Sequence, residues 1–415
     1  MADQVSQVAE ASSPFADALR PDTPAPASRW SAFPQYNFVG GHNAPEAIPT
    51  ADFQDALQKV LAREGRTLAT YSLESGPQGY LPLRAFLSDK LERNCGIAAT
   101  PDDILMVSGS LQGMDLINAA LLSRGDTVII EAANYGGVLS RLSRLGVKAV
   151  GVPLDGEGMR TDALREALST LKSRGVTPKY IYTIPTVQNP TATILPERRR
   201  AEMRALAAEF NTTIFEDDCY ADLVFDGDRP PAIYAGDTDG RVVYLGSFSK
   251  SLAPALRVGY VVAPWPLLSR LLALKTDAGS GALEQMMLAE YCADRFDTHV
   301  ANLNAALKAK SEVLTAALGE QFGTAAEFET PRGGIFLWVT LPETVDTTAL
   351  AARAGELGIA VNPGAEWSIE PDARRKIRIC YANPDADTIK AGVAKLADVC
   401  FEMFGVPERS GNTAR

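Results

Sequence analysis

The chain has 415 residues, 46% of them hydrophobic and 22% charged, an ordinary globular composition with more length than one core usually holds, so two domains are expected. A formal net charge of −11 excludes a broad nucleic-acid surface, which needs a basic face, and any phosphate bound here is held locally. Five scattered cysteines without a CxxC pair suit a reducing cytoplasm, and two histidines, His42 and His299, leave little room for a histidine triad or a multi-histidine metal site.

Residues 1–30 have neither the basic start nor the apolar core of a secretory signal, and no window approaches the roughly eighteen apolar residues of a membrane span. A soluble, cytoplasmic protein is expected. Residues 1–13 are small and polar without periodicity and are expected to be disordered. Over 14–29 a short helical piece (Phe15, Ala18, Leu19) runs into PDTPAPAS, whose breakers keep an arm extended. Gly40 and Gly41 allow close approach of the backbone to a ligand. Residues 50–63 read as a helix capped by Thr50, with Phe53, Ala56, Leu57, Val60 and Leu61 on one face. A second amphipathic helix starts near Pro82, after the turn YSLESGPQG.

From residue 104 short β-branched runs alternate with longer amphipathic stretches. Strands are predicted at 104–108, 127–131, 148–152, 179–184 and 212–216, and helices at 111–122, 135–145, 161–172 and 196–209. This alternation predicts βα units and a largely parallel, covered sheet. Ligands collect beyond the carboxyl ends of such strands, so the residues there become the candidates. Ser110 stands in a glycine-flanked turn opening a helix, where free N–H groups and the helix dipole favour an anion, although most such turns only cap. Tyr135 is placed to stack on a flat ligand. Asn189, in PTVQNPT, can donate to an oxyanion and is equally a good turn former before proline. DDCYADL puts an acid where it can hold a ring nitrogen protonated. Asp217 and Asp218 cannot share that task, and no further acid or histidine cluster completes a metal site with them.

The stretch 244–263, YLGSFSKSLAPALRVGYVVA, concentrates the chemistry. Ser247, Ser249 and Arg257 suit phosphate oxygens. That leaves Lys250 for covalent work, since a lysine amine forms Schiff bases when burial or a nearby cation lowers its pKa. A strand at 258–263, a helix at 266–276 and a long helix at 282–318 follow. The last hundred or so residues read as a smaller mixed domain, with strands in ETPRGGIFLWVTLP and in KIRICYA, which carries Arg378.

SFSK followed seven positions later by Arg257, with PTVQNPT, DDCYADL, PRGGIFLW and NPGAEW, resembles the pyridoxal-phosphate-dependent aminotransferases of fold type I, class I/II, in the branch of the kynurenine and 2-aminoadipate aminotransferases. The resemblance runs from about Gly40 to Cys400. It implies an α/β fold: an N-terminal arm (1–50) that contributes to the small domain and covers the active site, a large domain (51–290) with a mostly parallel seven-stranded sheet, and a smaller C-terminal α/β domain (291–415). It implies pyridoxal 5′-phosphate as cofactor and no metal. Lys250 carries the cofactor aldehyde, while Ser110, Leu111, Gln112, Ser247, Ser249 and Arg257 grip its phosphate. Tyr135 stacks on the pyridine, Asp217 holds its nitrogen, and Asn189 and Tyr220 meet its phenolic oxygen.

By the same resemblance Arg378 clamps a substrate α-carboxylate beside Asn189 and Gly41, Cys219 packs under the ring, and Asp218 is left for backbone or solvent. Arg20 and Arg29 become candidates for a substrate's side-chain acid. Tyr71 crosses the interface of a homodimer to the partner's cofactor phosphate, the alternative being a tyrosine that packs its own loop. The implied reaction is a ping-pong transamination from an L-amino acid to a 2-oxo acid, 2-oxoglutarate by family expectation, with Lys250, Asp217 and Tyr135 as catalytic residues. β-Elimination or oxidative deamination on the same cofactor, and a non-catalytic regulatory protein, are the alternatives; no winged helix-turn-helix segment precedes the fold in this sequence, which favours an enzyme. The chain departs from the family at His42 and Asn43, where an apolar residue and a proline are common, and at Asn134, Ala192 and Trp367 in place of proline, glycine and phenylalanine.

Overall fold

β-Branched and aromatic runs between glycine-bearing turns become strands here, and the amphipathic stretches between them become the helices that cover the sheet. The computed structural model describes residues 14–408 apart from 22, 28 and 31, so the expectation for residues 1–13 lies outside the described residues. Residues up to Phe33 form one contact unit and those from Pro34 a second. In the first, the described chain makes one 3-10 turn at Ala16–Ala18, where the short helical piece was expected, and Arg20 and Arg29 are exposed.

In the second unit β1 (Tyr36–Asn37), α1 (Thr50–Glu64) and α2 (Leu81–Cys95) come first. The βα run follows: β2 (Ile104–Val107), α3 (Ser110–Leu121), β3 (Thr127–Glu131), α4 (Gly136–Leu145), β4 (Lys148–Val152), the hairpin of β5 (Leu154–Asp155) and β6 (Gly158–Met159), α5 (Thr161–Ser173), β7 (Tyr180–Thr183), α6 (Glu197–Glu209) and β8 (Thr213–Asp217). Then come β9 (Val242–Ser247), β10 (Gly259–Val262), α7 (Trp265–Leu274) and the 41-residue α8 (Ala282–Phe322). β11 (Phe336–Thr340), α9 (Thr347–Glu356), β12 (Ile359–Ala360), β13 (Asn362–Pro363), β14 (Lys376–Cys380) and α10 (Ala386–Phe404) complete the order. Among the described residues no helix is long and apolar enough to cross a membrane.

One sheet has seven strands in the order β2-β10-β9-β8-β7-β3-β4. All its pairs are parallel except those of β10, which runs antiparallel to β2 and β9 because the loop after β9 turns straight back. β7, β9 and β10 are buried along their whole length, as strands covered on both faces must be. A second, antiparallel sheet has the order β11-β14-β13. Thr50, expected to cap α1, is instead its first residue: Pro49 takes the cap position, its carbonyl accepting from Phe53 N, so the threonine is pulled inside the first turn.

Two features connect the sheets. Residue 290, the expected boundary between large and small domains, lies inside α8, whose early residues (Met286, Tyr291, Phe296) pack in one apolar cluster and whose later ones (Leu307, Leu314, Phe322) pack in another. The segment after Pro34 threads into the smaller layer: β1 pairs with β12, Phe38 N donates to Ala360 O, and Cys380 N donates to Phe38 O. That threading delivers Gly40 and Gly41 beside β14. Phe38 is fully buried against α10 at Gly392, where a Cβ would stand 2.5 Å from the ring.

Gly392→Ala therefore sets a helix-propensity gain of about 1 kcal/mol against overpacking of about 1–3 kcal/mol. The expected net result is a lower urea midpoint, and combining it with Phe38→Leu should recover part of the loss.

Candidate active site

The carboxyl ends of β3, β7, β8 and β9 open on a cavity of about 400 Å³. Among the residues lining it are Ser110, Leu111, Tyr135, Asn189, Asp217, Cys219, Tyr220, Ser249, Lys250, Arg257, Trp367 and Arg378, with Gly41 and His42 closing one side. Sequence reading from strand ends thus brings most of its candidates to one place. A larger cleft of about 680 Å³ runs along α8, but its cations are already engaged: Arg295 pairs with Asp52, and Lys310 donates to Ala382 O.

One end of the cavity is built for an anion. Gly109 has a φ of +83°, and a Cβ there would collide with the Arg257 guanidinium. Arg257 itself is left-handed (φ +54°) and is held by Pro254 O (3.1 Å) and Ser108 O (3.3 Å). Gly259 is required on the other side, since a Cβ would meet the Gly109–Ser110 backbone at 2.9 Å. Ser110 is the first residue of α3, so its N–H lacks a partner within the helix. Two expected phosphate residues are used otherwise. Ser247 accepts from Ser249 N (3.0 Å) and so shapes the loop, while Gln112 accepts from Ser108 N (2.7 Å) and donates to Asp277 (2.5 Å), which turns its side chain out of the cavity.

Lys250 stands beside this end. Its Nζ donates to Gly41 O at 2.5 Å and lies 5.8 Å from the Tyr220 ring centroid. Burial holds the amine below its ordinary pKa, and the charges of Arg378 and Arg257 add to that effect. Asn43 donates to Lys250 O (2.7 Å), and burial with the Lys250 charge lowers the pKa of His42. Two of the residues that depart from the family pattern thus adjoin the lysine.

Across the cavity, Asp217 ends β8. Its Oδ2 accepts from Tyr182 OH at 2.6 Å, while Oδ1 is buried without a hydrogen-bond partner. Burial pushes this carboxyl up. Strand alternation sends Asp218 the other way. It is neither solvent-facing nor bound only to backbone: its carboxylate pairs with buried Arg229 (2.8 Å) and accepts from Tyr244 OH (3.3 Å). Burial drives the Cys219 thiol well above its usual range, and its thiol and N–H lie against the Asp217 carboxylate, where they oppose the upward pull of burial on that acid.

Tyr135 sits at the cap of α4, its ring 5.8 Å from that of Trp367. Asn189 donates to Tyr220 OH (3.2 Å) and accepts from Arg378 Nη1 (3.1 Å). Arg378 is buried on β14, donates to Val39 O (3.0 Å) and Asn362 (2.7 Å), and stacks 3.7 Å from the Trp367 ring centroid, with its Nε unpartnered. Burial lowers its pKa without endangering its charge. Tyr182, Asn362 and the aromatic shelf of Trp367 under Arg378 were not read from the sequence as site residues; only alternation within KYIYTI hinted at the first. Tyr71 is not brought to this cavity within its own chain: it is 87% exposed.

A family model for aminotransferase class I and II matches residues 38–396. Aromatic-amino-acid aminotransferase 1 of Thermococcus litoralis is 31% identical, covering 88% of this chain and 88% of its own. The 2-aminoadipate transaminase of Thermus thermophilus is 31% identical, covering 87% and 88%. Among solved structures, Pyrococcus horikoshii kynurenine aminotransferase, in complex with PMP, kynurenine as substrate and its product, aligns with a TM-score of 0.82 and 32% identity over 88% of this chain and 90% of that one.

Gly109→Ala combines a left-handed backbone with a clash at Arg257, a strain of about 1–3 kcal/mol. Pyridoxal 5′-phosphate affinity, measured by equilibrium titration, is expected to fall roughly tenfold or more.

Proposed function

This chain belongs to the class I and II aminotransferase family, and from that premise we propose that it runs a ping-pong transamination from an L-amino acid to a 2-oxo acid, with 2-oxoglutarate as acceptor. It is a pyridoxal-phosphate-dependent enzyme of fold type I. The observation that carries the finer reading is the unpaired, buried Asp217 Oδ1 facing a cavity that also receives the Lys250 amine. An orphaned acceptor at a strand end is satisfied by a protonated ring nitrogen, and the Gly109–Arg257 cradle suits a phosphate, so the residues present fit the cofactor.

On this reading Ser110, Leu111, Ser249 and Arg257 hold the phosphate, with Ser247 shaping their loop and Gln112 fixing the start of α3. Asp217, its carboxylate fixed by Tyr182, holds the ring nitrogen protonated. Tyr135 covers one face of the ring, and Asn189 and Tyr220 donate to its phenolic oxygen. Bound there, pyridoxal phosphate supplies an electron sink conjugated to the amino acid's Cα. Lys250, with a pKa lowered by burial, would take the proton from Cα as general base and deliver it to the cofactor's C4′ as general acid, the second half-reaction running the same transfer in reverse. Arg378 orients the α-carboxylate in a two-pronged grip, flattened against Trp367.

The cations lining the cavity are Lys250, Arg257 and Arg378, each already assigned. Tyr135, Trp367, Val39 and His42 make the remaining wall, which suits an uncharged, aromatic donor side chain of the kind in the Thermococcus litoralis relative's name. We further propose a homodimer in which exposed Tyr71 completes the partner's phosphate site.

Anaerobic addition of single L-amino acids should convert the cofactor's visible absorption to that of pyridoxamine phosphate, and a 2-oxo acid should restore it. Ammonia release without pyridoxamine formation would replace transamination by elimination or oxidation. Lys250→Ala should lower turnover by at least about 10³-fold with the cofactor still bound. Mixing Lys250→Ala with Tyr71→Ala subunits should recover roughly a quarter of wild-type activity, because random pairing leaves one intact site in half the dimers. No recovery after verified subunit exchange would refute the shared site.

A further inference from the structure

Glu131 is buried to 1% exposure at the end of β3, and none of the roles above uses it. Its carboxylate accepts from Thr183 Oγ1 (2.6 Å), from Ile184 N (3.2 and 3.3 Å to its two oxygens) and from Gln188 Nε2 (3.0 Å). Gln188, equally buried, also donates to Ala133 O (2.7 Å) and accepts from Thr191 N (2.8 Å) and Thr191 Oγ1 (2.7 Å). The two side chains therefore tie three separate segments: the end of β7, the loop 132–135 that presents Tyr135, and the turn 187–192 that presents Asn189. That turn needs outside support, since Val187 (φ +58°) and Ala192 (φ +60°) are both left-handed without being glycine.

We propose that Glu131 is a positioning residue for the cofactor-facing groups, setting Asn189 and Tyr135 in register with each other through Gln188. Asn189 is itself the link between Tyr220 and Arg378, so a shift in the turn reaches both the phenolic-oxygen side and the carboxylate clamp. Every contact of Glu131 offers it a donor, which suits an ionised acceptor. Burial and the neighbouring Asp217 charge work against that form and push its pKa up to about 7. A neutral amide of the same shape replaces it imperfectly, because its NH₂ faces a donor at Ile184 or Gln188 and finds an acceptor only if the Thr183 hydroxyl turns to give up its own bond.

This inference rests on the aminotransferase reading and is tested on the holoenzyme. In Glu131→Gln, pyridoxal 5′-phosphate affinity is expected to fall roughly tenfold, visible-region circular dichroism of the bound cofactor to change, and kcat to drop roughly tenfold with a smaller change in KM. A merely structural role would lower the thermal midpoint while leaving the cofactor's dichroism and kcat per bound cofactor at wild-type values, and that result overturns the proposal. If Glu131→Gln does not fold, Thr183→Val decides: it removes only the shortest bond to the carboxylate and should shift the same readouts in the same direction by a few-fold, whereas unchanged dichroism and kcat overturn the proposal. Wild-type protein that takes up no cofactor would instead sink the aminotransferase reading on which this depends.

Discussion

A carboxylate with one oxygen satisfied and the other left bare is the constraint around which the site is arranged. Tyr182 occupies one side of Asp217, so the group cannot turn, and burial makes its empty acceptor costly until something protonated meets it. The sheet provides the rest by geometry alone. Parallel strands β3, β7, β8 and β9 end on the same edge, and each end carries one group aimed at a common space. Neither the lysine nor the arginines would define a function without the acid opposite them.

Charge distribution follows the same logic. Three permanent or potential cations and one acid surround a small cavity, an arrangement that draws in a phosphate and a carboxylate together. Arg378 is buried without a carboxylate partner among the described residues; amide and carbonyl acceptors and two aromatic rings hold it instead. An internal counter-ion would have competed with the ligand. Asp218 illustrates the opposite choice, a carboxylate neutralised by Arg229 on the far side of the strand.

The βα run was legible because covered parallel strands read as short apolar runs between helical periods, and strand ends point to chemistry without any knowledge of register. Lys250, Asp217, Asn189, Tyr135 and Arg257 were read that way and through the family resemblance, and the structure brings all five to one cavity. What escaped depends on pairing between strands or between layers. Tyr182 reaches Asp217 only because Tyr182 stands opposite Phe215 in the β7–β8 register. Trp367 lies under Arg378 only once the smaller sheet is folded beside the loop of Tyr135. Gln112 was read as a phosphate residue through the family resemblance, but its side chain is held by Asp277, far off in sequence. The cap of α1 was misplaced by one residue because Pro49, which cannot donate, still offers its carbonyl to the first turn.

The length of α8 has a mechanical consequence. Its 41 residues make a rod of about 60 Å, with one end set among the helices beside the seven-stranded sheet and the other under the smaller layer. Such a rod does not fold at its middle, so the smaller layer with Arg378 can approach the larger one only by pivoting. A tilt of about 5° at one end carries the other through about 5 Å, more than the width of a water molecule. The helix thus couples the two layers as a lever would, a small tilt at one anchor being magnified at the other.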